Sequence, residues 1–205
     1  MLIIDDLQRD AVSGGVGFNA GNERFSNVTI APGSPVIPAA EASEGEATEA
    51  LATVANWRVS TPFAESLVET ATTTSAADLG ITSWSDLDST ERGIANLARL
   101  ASPADDHNTV VAALTLRSDR AQVARARFGF SDRVRVFLNG RLLYSGNDTY
   151  TSRDYRFLGT MGLFDEVALP LEAGDNELWF AVSEDFGGWA IVAEIAPTDG
   201  LEVLQ

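Results

Sequence analysis

Apolar side chains recur at every second position through much of the second half of this chain. Val110-Ala112-Leu114-Leu116, Ala124-Ala126-Phe128-Phe130, Val134-Val136-Leu138 and Leu178-Phe180-Val182 each mark one apolar face. The intervening positions include Arg117, Arg125, Arg127, Arg135 and Glu177, side chains suited to water. A period of two belongs to half-buried antiparallel strands. The punctuation between the runs (Ser131-Asp132, Asn139-Gly140, Gly174-Asp175-Asn176, Gly187-Gly188) is turn chemistry. The pattern predicts a strand at 57–60, an irregular or helix-compatible stretch to Leu79, and then strands over 81–87, 93–100, 109–118, 121–130, 134–139, 142–144, 156–158, 167–171, 177–183 and 189–195. Many short strands so spaced predict an all-β fold, an antiparallel β-sandwich or jelly roll.

Phase also constrains the turns. A two-residue loop at Ser131-Asp132 would set Phe128 opposite Arg135 on one face, so the pattern predicts a hairpin in which Phe130 pairs with Val134 across Ser131-Asp132-Arg133. Asn139-Gly140 predicts a second tight turn into Arg141-Leu142-Leu143-Tyr144. Trp189, in phase with Ile191 and Ala193, is expected in the core, as are Trp57 and Trp84. Trp179 falls out of phase with Leu178 and Phe180, which marks an outward ring in contact with a covering segment or a ligand.

Composition divides the chain into residues 1–30 with short strand-like pieces, a 31–50 linker rich in proline, glutamate, alanine and serine, a main body over 51–196, and a C-terminal tail over 197–205. DDLQRDAVSGGVGFNAGNERFSNVTI resembles the closing strands of concanavalin-like lectin sandwiches. That resemblance implies the tail of a larger lectin-like domain; a strand pair docked on the main body is the alternative.

The strand ending SDRVRVFLNG, then LPLEAGDNELWFAV, then the closing strand after GGW resemble the galactose-binding-domain-like jelly roll of carbohydrate-binding modules and of non-catalytic domains in glycoside hydrolases. In that family the turns matching Asn139-Gly140 and Gly174-Asp175-Asn176 close a hairpin and lead into the penultimate strand. The resemblance spans roughly 84–195. It implies the fold, and a module that binds glycans in loops at one end or braces an enzyme. Some members hold a structural calcium. No sugar-binding signature of the family is present to carry over.

Charge narrows the partners. The 205 residues carry a formal net charge of −16, and all 14 cations are arginine. So acidic a chain repels phosphate backbones, which disfavours nucleic acid as a partner. No apolar run approaches the roughly 18 residues of a membrane helix, so no membrane partner is expected. With no cysteine, disulfides and thiolate chemistry are excluded, and the compartment is left open.

Catalytic signals are sparse. The single histidine, His107, sits in the polar turn PADDHNT, so neither a serine triad nor a zinc site is indicated. Hydrolysis by two carboxylates has its best-placed pair in Glu184-Asp185, adjacent loop residues poorly suited to flanking a substrate. Oxygen-rich turns at Asn147-Asp148, Asp165-Glu166, Asp175-Asn176 and Glu184-Asp185 supply calcium-type ligands, although none matches the twelve-residue calcium loop. No other cofactor is indicated. The mixture best suited to a sugar, rings for stacking and planar polar groups for hydroxyls, lies between Tyr144 and Phe157. Tyr144, Tyr150, Arg153, Asp154 and Tyr155, with Trp179, are the candidate ligand-binding residues.

The expectation is therefore a non-catalytic module, carbohydrate-binding or accessory to a larger carbohydrate-active or surface protein. A structural or interaction domain without a small ligand is the alternative, its arginine column Arg125-Arg127-Arg135 docking an acidic neighbouring domain. A two-carboxylate glycoside hydrolase is the weaker one.

Overall fold

The computed structural model describes residues 52–104, 106–149 and 161–204. The strands expected before residue 31 and at 156–158, and the 31–50 linker, lie outside the described residues. The described strands are β1 (Ala52–Thr53), β2 (Asn56–Ser60), β3 (Trp84–Asp88), β4 (Ile94–Asn96), β5 (Thr109–Ser118), β6 (Gln122–Ser131), β7 (Arg133–Leu138), β8 (Arg141–Asn147), β9 (Asp165–Leu171), β10 (Gly174–Ser183), β11 (Ala190–Ile195) and β12 (Leu201–Leu204). They pair antiparallel in two sheets. One runs β1-β11-β6-β9, with β4 also on β11. The other runs β3-β2-β5-β10-β7-β8, with β12 also on β5. The described residues form an all-β antiparallel sandwich, as alternation predicts.

The inward faces are those read from phase. Phe128, Phe180, Leu116, Val136, Leu178 and Ile191 are fully enclosed between the sheets, with Trp57 and Trp189 beside them. Two strands differ from expectation. The 93–100 stretch pairs only over Ile94–Asn96; the Asn96 side chain accepts the Ala98 N–H, and the chain turns there into a single 3-10 turn at Leu97–Arg99. Residues 197–205, read as a tail, contain β12, which pairs with the end of β5 through Leu201 opposite Ser118.

The hairpin expected across Ser131-Asp132-Arg133 does not form. Phe130 pairs with Ile191 in one sheet, while Val134 pairs with Val182 in the other. The chain leaves β6, crosses the end of the sandwich at Asp132 and enters β7 on the opposite layer. Both apolar faces point inward, which satisfies the same phase rule as a hairpin would. Asn139-Gly140 does make the expected tight turn between β7 and β8, with φ of 50° and 75° at its two residues. Those left-handed values are the reason an Asn-Gly pair stands there.

Residues 61–83 cover the outer face of the larger sheet. Phe63, Val68 and Leu79 pack on Val111, Ala113, Phe137 and Ala181 to make a second apolar cluster. Arg135 secures this cover by donating to the carbonyls of Glu69 (2.6 Å) and Ala71 (3.0 Å). Central β5 is consequently buried on both faces. Its sequence reads VVAAL, a continuous apolar run in which the two alanines keep both layers close. Trp84, expected in the core, lies half-buried in this second cluster. Because β6 and β7 belong to different sheets, Arg125 and Arg127 are separated from Arg135, and the expected arginine column does not exist.

Gly129 permits one close approach. A β-carbon there would collide with the carbonyl oxygen of Gly162, which lies against β6. Gly129→Ala is expected to push residues 161–164 off the sheet and to cost about 1–3 kcal/mol, the usual penalty of overpacking. Urea unfolding checks this against Gly188→Ala, whose added methyl meets nothing within 4 Å.

Candidate functional site

Asp132, at the crossing from β6 to β7, organises one end of the sandwich. Its N–H donates to the Ser183 carbonyl (2.8 Å), and its own carbonyl accepts from the Asp148 N–H (2.7 Å). Its carboxylate oxygen Oδ2 accepts from the N–H groups of Asp185 (2.9 Å) and Phe186 (3.1 Å). A short acid is suited to this position, since a carboxylate can receive several backbone donors at once. The end of β10, the loop from Glu184 to Gly188 and the chain leaving β8 thus meet on one residue.

Arg133, the next residue, clamps the same loop from the side. Its Nε and Nη2 each donate to Glu65 at 2.6 Å, while Nη1 and Nη2 donate to Asp185 at 2.6 and 2.7 Å. Two forked contacts on one planar guanidinium fix both carboxylates in place. The Arg133 hydrogen bonds, and then its charge, hold the Asp185 carboxyl below its ordinary range, and the two carboxylates hold the arginine cation more firmly in turn. Asn108 closes the ring. Its carbonyl accepts from the Glu184 N–H (2.9 Å), and its side chain bonds Glu65 at both the backbone N–H and the carboxylate.

Two side chains of this loop are in unusual states. Phe186 is 89% exposed, the largest value among the described large apolar residues. Leaving a phenylalanine in water forgoes roughly 1.5–3 kcal/mol of burial. Its backbone, however, is held by Asp132 next to the clamped Asp185. Glu184 is the opposite case, only 3% exposed. Its Oε2 accepts from Ser131 Oγ (3.2 Å), while Oε1 is buried with no hydrogen-bond partner. Burial first, and then the nearby Asp132 charge, push its carboxyl up to about 7.

The residues predicted from sequence fall in three places. Tyr144 is half-buried: its ring stands edge-on to Phe128 at 5.2 Å, and its hydroxyl donates to Asp165 (2.7 Å). Trp179 faces outward as phase predicts. It meets Trp84 at 5.7 Å within the second cluster and donates its N–H to Glu177 (2.9 Å). Both contacts are made within its own sheet, to Trp84 of β3 and to Glu177 two residues earlier in β10. Tyr150, Arg153, Asp154 and Tyr155 lie outside the described residues. Asp148, two residues before Tyr150, donates its N–H to Asp132, at the end of the sandwich that carries Phe186.

The oxygen-rich turns do not converge. Asp175 pairs with Arg117, buried Asn176 spends its side chain on its own corner and on Asn139, and Glu166 pairs with Arg125. Asn147 accepts from Thr149. Among the described residues no three histidines or carboxylates gather as a metal site. Glu184 and Asp185 do not form an opposed pair either, since one is enclosed and the other is held at the surface by Arg133.

Sequence reading missed Phe186, Asp132, Arg133 and Glu65. The available signal was DFGG, an aromatic ahead of two glycines in a loop between strands.

The class these observations define is a two-sheet antiparallel β-sandwich module with a clamped, aromatic-tipped loop at one end. The chain matches no protein-family model and no curated protein. Among solved structures it is similar to a family 35 carbohydrate binding module from an environmental isolate, at 17% identity over 46% of this chain and 70% of that one, with a TM-score of 0.33. It is also similar to the GH2 beta-galacturonidase from Eisenbergiella tayi, bound to galacturonate or to glycerol, at 12% identity over 70% of this chain, with a TM-score of 0.39. The match covers 24% of that enzyme.

Proposed function

We propose that this chain is a non-catalytic carbohydrate-binding module, or an accessory module of a larger carbohydrate-active protein, that takes sugar at the Asp132 end of the sandwich. The observation that carries this reading is Phe186: an almost fully exposed ring on a loop whose backbone and neighbouring side chain are both held in place. A pre-positioned ring offers a flat apolar face to a pyranose without a further ordering cost. Asp185, half-exposed beside it, accepts sugar hydroxyls while Arg133 keeps it ionised and oriented. Tyr150, Arg153, Asp154 and Tyr155, in the segment that follows Thr149, supply further rings and planar polar groups.

Titration calorimetry against soluble polysaccharides, after a glycan array, tests the reading. Phe186→Ala is expected to weaken binding by about tenfold or more, as loss of an aromatic anchor does, with unfolding unchanged. Absence of binding to any polysaccharide at millimolar sugar would dismiss it. An interaction domain without a small ligand is the second reading. It is favoured by exposed Val123 beside Arg125 and Arg127 on the outer face of the smaller sheet.

A further inference from the structure

The Glu184–Gly188 loop is built on a buried acid that lacks a full set of partners. Glu184 lies under the loop with one carboxyl oxygen on Ser131 and the other on nothing. The charged groups facing it are Asp132 from the sandwich corner, Arg133 from the start of β7 and Asp185 from its own loop. Arg133 is engaged by Glu65 and Asp185, and its charge offsets a Glu184 anion less than burial and Asp132 oppose it. The Asp132 carboxylate that repels such an anion is the one holding the loop by the N–H groups of Asp185 and Phe186. A neutral Glu184 is compatible with this arrangement. An ionised one places two enclosed carboxylates side by side, one with an oxygen bare of donors, and water outside the loop is the better environment.

A hinge is present. Gly187 has φ of 124°, which side-chain-bearing residues rarely adopt, and a β-carbon there would sit 3.9 Å from the bare Glu184 oxygen. Gly188 follows with open space around it.

We propose that this loop is a proton-controlled latch: neutral Glu184 lets Asp132 hold Asp185 and Phe186 in place, and ionised Glu184 swings out on Gly187-Gly188 and frees both. The latch concerns the loop assigned above to sugar binding and uses none of its ligand chemistry, so either reading can fail without the other. Phe186 is then presented in a fixed pose on the acid side of neutrality and released on the alkaline side.

Amide hydrogen exchange on the full chain, corrected for the intrinsic pH dependence of exchange, tests it without any ligand. Protection of the Asp185 and Phe186 amides is expected to be constant below about pH 4.5, to fall by up to tenfold per pH unit from there to about pH 7, and to level off above, the signature of opening linked to loss of one proton from Glu184. In Glu184→Gln, which keeps shape and cannot ionise, both amides stay protected throughout. In His107→Gln, which removes the single histidine of the chain, the transition persists. Direct titration of the Glu184 side-chain carbonyl by carbon NMR in the unsubstituted protein covers the case in which the variant does not fold. Flat protection across the range, the same transition in Glu184→Gln, its loss in His107→Gln alone, or a Glu184 carboxyl that ionises with ordinary surface acids would each overturn the latch.

Discussion

Phe128→Ala is expected to lower the unfolding free energy by about 3–5 kcal/mol, the upper range for a buried aromatic cut back to alanine. Phe128 has no exposure and stands where both sheets converge. Its ring lies 5.3 Å from Phe180 across the core and 5.2 Å from Tyr144, both edge-on, and 6.1 Å from Phe130 along its own strand. Tyr144 comes from β8 in one sheet and bonds Asp165 of β9 in the other. Removing Phe128 therefore opens a cavity where the layers are tied together, and neighbours held by aromatic contacts on three sides collapse into it poorly. Denaturant unfolding checks this against Val123→Ala, an exposed position on the same strand, where a change within about 0.5 kcal/mol is expected. Equal effects at the two positions would mean that the inward face of β6 is misassigned.

The second large effect depends on pH. An unfolded Glu184 ionises near the ordinary value of 4.5, whereas the folded environment keeps it protonated up to about 7. Between those values the folded chain holds a proton that the unfolded chain has lost, so stability falls as pH rises. The contribution is complete below the lower value and gone above the higher one. Removing the acid should therefore help in alkali: Glu184→Gln is expected to be more stable than the unsubstituted protein near pH 8, by about 3 kcal/mol at most, and to match it below about pH 4.5. The gain is smaller to the extent that the loop opens and lets the ionised acid reach water. Asp185, held low by Arg133, acts in the opposite direction in acid, and it cancels because both proteins carry it. The observable is the difference in melting temperature between the two proteins across this range. A difference independent of pH would show that Glu184 is already solvated.

Much of the core is legible in the alternation alone. Phe128, Phe180, Val136, Leu178 and Trp189 are all enclosed as phase requires, because the side-chain period of a strand is a property of the backbone. Asn139-Gly140 is equally readable, since left-handed φ values at both turn residues suit few other pairs. Trp84 shows where phase stops being informative. Its strand is real, yet its ring belongs to an outer cluster that exists only because residues 61–83 return across the sheet. The VVAAL run of β5 carries a hint of that second cover, being apolar on both faces.

The site is the least legible part. Tyr144 has the composition of a sugar contact but is occupied with Phe128 and Asp165, a use that depends on which strand lies opposite. Asp132, Arg133, Glu65 and Asn108 are common polar residues scattered between widely separated stretches of the chain. Nothing local distinguishes them from any solvated turn.

Alternation along the chain thus determined which side chains face inward, where most strands run and that two layers of antiparallel ribbon result. It could not assign a strand to its layer, because inward-facing residues of both sheets obey the same rule. Folding made that choice at Ser131-Asp132-Arg133, where a turn that reads as a hairpin carries the chain from one layer to the other. The crossing brings Asp132 under Phe186 and seals Glu184 behind it. Partners distant in sequence created that end of the sandwich, with its exposed ring and its unsatisfied acid.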